Sequence, residues 1–433
     1  MNLKFYLLFL LIPFIPLTSW AQKSGSETDP GILLAGFAKI DITPGIPVKL
    51  YGYEARKGYS EGVHDPLSAR AVAFENNGKR IILVSCDLGS FENDLFSVVK
   101  SSILKKYNIG DSELFLAVIH SHSSPVLSLD PAKGDPNNII YTKAVIEKIL
   151  SVIGEAIGDL KPVLTGVGTG SSPIGANRRE MNSEGEVILG RNPYGPADKE
   201  VLVMKVTSPE GKNIGAIFDY ATHATSLGWL NMSISGDVLG LSSQFTEQIL
   251  GKGAITPVFA GASGNIDPWY RVLPGFNNEP GWIPEPVLLG TLLGEEVIHV
   301  FRDISELKQG GNIKSASCVL NCPAKKPSGQ SYGYKQDSTS VVPVTITAAK
   351  IGDDVAFIGF NVEMLTEIGM RIKEASPFKH TFIVTHCNGY SGYLPPAELY
   401  KEDGYEISST PFGIESASMV EAKALEMLYY LKR

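Results

Sequence analysis

The run Leu114-Phe115-Leu116-Ala117-Val118-Ile119, followed at once by His120-Ser121-His122, decides how this chain is read. Six consecutive apolar residues that stop at a polar segment read as a strand ending in a loop. Two imidazoles two residues apart at a strand end point to the same side of the chain. One can bind a metal ion while the other sits beside it and touches the substrate. Only 7 histidines occur in 433 residues, so a pair at this position is informative. The plainer alternative is a polar strand end that merely caps a sheet.

Working outward, strand-like and helix-like segments alternate. Arg80–Cys86 is an apolar run ending at Asp87, and a helical pattern follows over about residues 92–106. A second helix is predicted over 141–160. Val201–Val206 and Ile214–Tyr220 read as a hairpin around Pro209-Glu210-Gly211. A helix over 239–250, a short strand over 257–260 and a helix over 286–307 come next. Two alternating β-rich segments, 316–321 and 341–350, precede a buried-type strand over 355–360. The chain closes with a helix predicted over 362–373, a strand over 381–385 and a helix over 416–431. This mixture predicts an α/β to α+β fold with mixed β-sheet layers flanked by helices. No internal repeat or Pro/Ser-rich linker divides it.

Asp87, His120, His223, Asp267, Glu363 and Tyr393 each fall just past an apolar strand-like run. In open α/β sheets, ligands gather at the carboxyl ends of strands, where loops converge. The expectation is one cleft there, with a metal site built from some of these side chains.

The first residues read as an export signal: Lys4, an apolar stretch over 5–17, and Ser19-Trp20-Ala21 at the cleavage positions. Residues 1–21 are therefore expected to be removed, with the protein in the periplasm, at the cell surface or secreted. Hydrophobic content of 43% with 19% charged residues describes an ordinary globular protein. The formal charge is −8, and loss of Lys4 makes it −9. No basic stripe exists to neutralise phosphates, which argues against nucleic acid. Cys86, Cys318, Cys322 and Cys387 are few for an exported chain. Cys318 and Cys322 fit either a local disulfide or two thiols on a strand.

Several motifs then carry a resemblance. Gly36-Phe37-Ala38-Lys39-Ile40-Asp41-Ile42-Thr43-Pro44, Leu50-Tyr51-Gly52-Tyr53, His120-Ser121-His122-Ser123-Ser124-Pro125, Asn177-Arg178, His223-Ala224-Thr225-Ser226 with Ser235-Gly236-Asp237, Gly264-Asn265-Ile266-Asp267-Pro268, and Glu363 with Tyr390-Ser391-Gly392-Tyr393 occur in the order seen in the neutral/alkaline (non-lysosomal) ceramidases. The chain resembles that family over most of its length. The resemblance implies one zinc ion (Zn2+) per chain, held by His120, His223, Glu363 and Tyr393. It also implies His122 and Arg178 against the substrate amide or its polar head. A single catalytic domain is expected over residues 32–433, in departure from family members, which carry an additional C-terminal β-sandwich domain. The expected substrate is a lipid amide, with peripheral contact to a membrane or micelle surface.

The chemistry stands beside the resemblance. Zinc accepts imidazole and carboxylate ligands and, in catalytic sites, leaves a position open for water, whose pKa it lowers toward neutrality. His122, Arg178 and a tyrosine hydroxyl such as that of Tyr393 are suitable oxyanion donors, one such donor being worth ~3 kcal/mol elsewhere. Glu363 is expected at a helix start, near the positive end of the helix dipole.

Two departures from the family matter. Asp267 stands where the family has a serine before proline. It is read as a catalytic base, a ligand for a second cation or a contact for a polar substrate group. Ser124 replaces a glycine. These leave two alternatives: a metal hydrolase of a more polar amide or ester, and a non-catalytic member that only binds. A serine hydrolase using Ser263 in Gly261-Ala262-Ser263-Gly264 is a further alternative.

Overall fold

The computed structural model describes residues 31–251, 253–269, 285–325 and 341–433. The expected signal sequence lies outside them. Strands Leu34–Asp41 (β1), Gly62–Val63 (β2), Ser68–Asn76 (β3) and Lys79–Cys86 (β4) precede helix Asn93–Tyr107 (α1) and strand Leu114–Val118 (β5). Helix Pro136–Gly158 (α2) leads to strands Lys161–Pro162 (β6), Leu164–Ser171 (β7), Gly175–Met181 (β8), Val187–Asn192 (β9), Glu200–Thr207 (β10) and Asn213–Tyr220 (β11). Then come Ser233–Ile234 (β12), helix Asp237–Leu250 (α3), Val258–Ala260 (β13), Ile266–Pro268 (β14) and helix Glu285–Asp303 (α4). The last part holds Ile313–Pro323 (β15), Val341–Ile351 (β16), Val355–Phe360 (β17), Glu363–Met364 (β18), helix Thr366–Ala375 (α5), His380–Val384 (β19), Tyr393–Leu394 (β20), and helices Tyr405–Ser409 (α6) and Ser416–Lys432 (α7).

The layered α/β expectation holds. Three larger sheets, ordered β5-β4-β3-β1-β6, β13-β11-β10-β7 and β15-β16-β17-β19, share one apolar cluster that includes Phe74, Phe115, Met204, Ile217, Phe357 and Phe382. A separate cluster seats α1 and α2 on the first sheet, another α3 and α4 on the second, and a third α5 and α7 on the third. The central strands of the sheets are therefore buried on both faces and read as apolar runs, whereas β15 keeps the alternating, half-exposed pattern. The pairs β4–β5, β11–β13 and β17–β19 are parallel. His120, His223, Glu363 and His386 follow the carboxyl ends of β5, β11, β17 and β19, where the loops meet, and Asp267 lies on the short strand β14 that pairs antiparallel with β8.

Local chemistry sets the element ends. Helix α2 begins five residues before the periodicity suggests, because Asp135 accepts from the Asn137 amide and Pro136 occupies the first turn. The helix expected from residue 362 starts at Thr366 instead, and Glu363 lies on the two-residue strand β18, paired with β20. Asp87 does not join the site: it is fully buried and accepts from Arg70 at 3.0 Å and from the Ser68 amide. Cys318 and Cys322 sit four residues apart along β15, a rise of roughly 13 Å, too far for a disulfide; all four cysteines are free.

Asp219 on β11 is 1% exposed and 4.0 Å from Lys373. Burial pushes its carboxyl up to about 7. A folded-state pKa above the unfolded value of ~3.9 means that the stability it contributes is lost as pH rises from about 4 to about 7. Asp219→Asn is therefore expected to be more stable than the native chain at pH 8, by up to about 4 kcal/mol, with the gap closing near pH 4. Denaturant titrations at the two pH values check this.

Candidate metal centre

The two histidines of the opening motif do point to one side: His122 Nε2 lies 3.3 Å from His120 Nε2. His120 Nδ1 contacts the Gly89 carbonyl at 2.8 Å, and His223 Nδ1 contacts the Ser263 carbonyl at 2.7 Å. A carbonyl only accepts, so each Nδ1 carries the proton and each Nε2 presents a lone pair. Both Nε2 atoms face the same carboxylate oxygen, Glu363 Oε2, at 3.4 and 3.3 Å. That oxygen has no hydrogen-bond partner among the described residues.

Three buried acceptors converge here with only Arg178 Nη1, 3.5 Å from His223 Nε2, as a donor at their edge, and they repel one another unless a cation lies between them. Ligands ~2.0–2.1 Å from a tetrahedral ion stand about 3.3 Å apart, which matches the contacts of Glu363 Oε2 with both imidazoles. The set therefore fits a divalent cation. The carbonyls that fix the two imidazoles are the usual outer support of metal-bound histidine.

The other side chains surround this point. Tyr390 donates its hydroxyl to Glu363 Oε1 at 2.6 Å. Tyr393 pairs with Glu363 in the β18–β20 ladder, and its hydroxyl accepts from Arg178 Nη2 at 3.1 Å. Burial, with Glu363 close by, pushes both phenols well above their ordinary value. Burial, reinforced by His120, holds His122 well below its ordinary value and so neutral.

Arg178 bridges the two halves of the site. It donates from Nε to Glu406 at 2.7 Å and from Nη1 to Asp267 at 3.2 Å, and Nη1 lies 3.5 Å from His223 Nε2. Sequence reasoning missed Glu406, which lies in α6 on the far side of Arg178, and His386, which stacks on His120 with ring centroids 4.0 Å apart. Only the rarity of histidine marked His386 in advance.

A family profile described as neutral/alkaline non-lysosomal ceramidase, N-terminal, matches residues 33–265, more than half of the chain. The chain belongs to this family. Neutral ceramidase from Pseudomonas aeruginosa is 26% identical over 466 aligned residues, covering 87% of this chain and 69% of that protein. Neutral ceramidase from Oryza sativa subsp. japonica is 27% identical over 224 residues, covering 49% of this chain. The chain spans only 28% of the rice protein's length. The crystal structure of the Pseudomonas aeruginosa neutral ceramidase superposes with a TM-score of 0.75 at 20% identity, covering 93% of this chain and 74% of that one.

Within this ceramidase-family frame, the departures take on concrete form. Asp267 is clamped between Arg178 and Arg191, each at 3.2 Å. Burial raises its pKa, but Arg178, His223 and Arg191 outweigh that and lower it overall. A carboxylate so held is a weak base, and both of its oxygens are already engaged. Ser124 is buried and donates to the Ser121 carbonyl, and its φ is not positive, so a side chain costs nothing there. Ser263 Oγ has no hydrogen-bond partner among the described residues, which leaves it without an activating base.

The Leu50-Tyr51-Gly52-Tyr53 motif wraps His122. Tyr51 and Tyr53 meet its ring edge-on, with centroids 5.7 and 5.0 Å away. Gly52 has φ +100°, and a Cβ there would lie 2.4 Å from the His122 ring. Gly52→Ala is expected to displace His122, lowering turnover more than about tenfold and stability by ~1–3 kcal/mol. Steady-state rates and denaturant midpoints check this.

Proposed function

We propose that this chain is an exported zinc-dependent amidohydrolase that cleaves the N-acyl amide bond of ceramide or a related lipid amide. The observation that carries the metal part is the convergence of His120 Nε2 and His223 Nε2 on the unpartnered Glu363 Oε2. Family membership supports the amide class, and the apolar N-terminal stretch supports export. A zinc ion held by His120, His223 and Glu363, with Tyr393 beside them, supplies a Lewis acid that makes water nucleophilic near neutral pH.

The chain's own groups do the rest. The Tyr393 oxygen accepts from Arg178, so its own proton is directed elsewhere and can be donated to the amide oxygen as negative charge develops there. Arg178 adds its charge on the same side, while Asp267 and Glu406 hold its guanidinium in orientation. His122 Nε2, next to His120, belongs to a neutral imidazole and can take the proton released by the attacking water and pass it to the departing amine nitrogen. Trp229 and Leu230, 46% and 53% exposed, lie on the loop after His223. Arg56 ties that loop to the His122 carbonyl, donating to Gly228 at 3.3 Å and to His122 at 2.8 Å. This apolar rim suits peripheral contact with a membrane or micelle.

The test is metal analysis of the purified chain together with a substrate panel of ceramides of several acyl lengths and short N-acyl amides. About one zinc per chain with ceramide turnover is the expected result. Turnover of short amides alone would move the substrate to the polar class, and a metal-free, inactive chain would leave a binding protein.

A further inference from the structure

The turn over residues 388–393 is pinned by its backbone. Asn388, Gly389 and Gly392 have φ of +62°, +119° and +85°. A Cβ on Gly389 would lie 2.5 Å from Asn93 Oδ1 at the start of α1, so only glycine fits there. The same Oδ1 accepts from the Tyr390 amide at 2.9 Å. The Ser391 amide donates to the Asn361 carbonyl at 2.7 Å, and Asn361 Nδ2 donates back to Ser391 Oγ at 2.9 Å.

This one turn delivers two phenols to the site, and they face different partners. Tyr393 meets Arg178, whereas Tyr390 donates to Glu363 Oε1 at 2.6 Å. A carboxylate only accepts, so the phenol is the donor. The Tyr390 ring lies parallel to that of His386 with centroids 6.5 Å apart, and His386 in turn stacks on His120 at 4.0 Å. The hydroxyl is thus aimed by both backbone and ring. As a result the two oxygens of Glu363 are unequal. Oε1 is held by the phenol, while Oε2 faces both imidazoles at 3.4 and 3.3 Å and has no hydrogen-bond partner among the described residues.

A carboxylate can bind a divalent cation through one oxygen or through both. Binding through both fills a further coordination position, and a catalytic centre needs one left open. Hydrogen bonds to a charged acceptor are among the strong ones, so turning Oε1 toward the ion would sacrifice a favourable contact. We propose that Tyr390 is a positioning residue whose hydroxyl retains Glu363 Oε1, so that the carboxylate binds the metal through Oε2 alone and a coordination position stays free for substrate. The inference rests on the metal reading above. It gives the two tyrosines of one motif separate tasks, Tyr390 toward a metal ligand and Tyr393 toward Arg178 and the amide.

The experiment uses the full chain stripped by a chelator, then titrated with Zn2+ against a chromophoric competitor and with Co2+ followed by its visible absorption. Tyr390→Phe keeps the ring and removes only the hydroxyl. Tyr141→Phe is the control, because its hydroxyl donates to the Ile42 carbonyl at 2.9 Å from α2, inside the first sheet's apolar cluster. Loss of an outer support typically weakens metal affinity 10–100-fold, and that is the range expected for Tyr390→Phe. Its Co2+ bands should also weaken, since the ion absorbs less as its coordination number rises. Tyr141→Phe should match the native chain in both readings. Zn2+ affinity within about tenfold of native, or an unchanged Co2+ spectrum, overturns the proposal even where Tyr390→Phe is less stable, because a hydroxyl that only braces the fold leaves the ion's surroundings alone. Weakening by more than about 100-fold overturns it as well, by marking Tyr390 as a direct ligand. A native chain that binds neither ion overturns the metal reading itself, and is distinguished because the native and control arms fail too.

Discussion

Glu363→Gln is expected to lose stoichiometric zinc and to lower amide turnover by more than the ~10³-fold that a single lost transition-state donor costs in other hydrolases. The substitution keeps the shape and changes the chemistry. Glu363 Oε1 already accepts from Tyr390 at 2.6 Å, while Oε2 faces His120 and His223. In the glutamine variant the carbonyl keeps the Tyr390 contact and the amide nitrogen takes the place of Oε2. Its hydrogens then donate to the two Nε2 lone pairs, and the gap that fits a cation closes. Zinc content and turnover measured on the same preparation check this. Native zinc content in the variant would remove Glu363 from the ligand set.

Glu406→Ala is expected to give the largest loss of stability, about 3–5 kcal/mol, as for other buried ion pairs stripped of one partner. Glu406 is fully buried and accepts from Arg178 at 2.7 Å and from Arg179 at 2.9 Å. Its removal leaves two buried guanidinium groups short of compensating charge. Arg178 also loses the contact that fixes its Nε, so turnover should fall along with stability. Glu402 is the control. It contacts the same Arg179 at 3.3 Å, but its side chain is 46% exposed. Exposed pairs contribute ~0–1 kcal/mol, so Glu402→Ala should be close to neutral. Equal denaturant midpoints for the two variants would show that burial at Glu406 carries no weight.

Part of the site was legible in advance because some of its information is local. The β5 run ends at His120-Ser121-His122, and β11 ends just before His223, so apolar length and the abrupt polar stop sufficed to mark them. Glu363 was found for a partly wrong reason. Residues 362–365 suit a helix start, but their backbone pairs with β20, a partner 30 residues away that no local pattern announces. Asp267 read as a catalytic base, a second-cation ligand or a substrate contact; only the fold brings Arg178 from β8 and Arg191 from β9 onto its two oxygens. Glu406 and His386 stand alone in the sequence, without a spacing that ties them to anything.

The sequence by itself determined the α/β layering, the family, and the strand ends at which His120 and His223 stand, because burial of an apolar run and its polar termination depend on neighbours within a few residues. Tertiary structure alone decided which acids and phenols face those imidazoles. Parallel pairing of β4 with β5, β11 with β13 and β17 with β19 brings their carboxyl ends together, and the contact geometry of donors hundreds of residues apart is set by that packing rather than by any local preference.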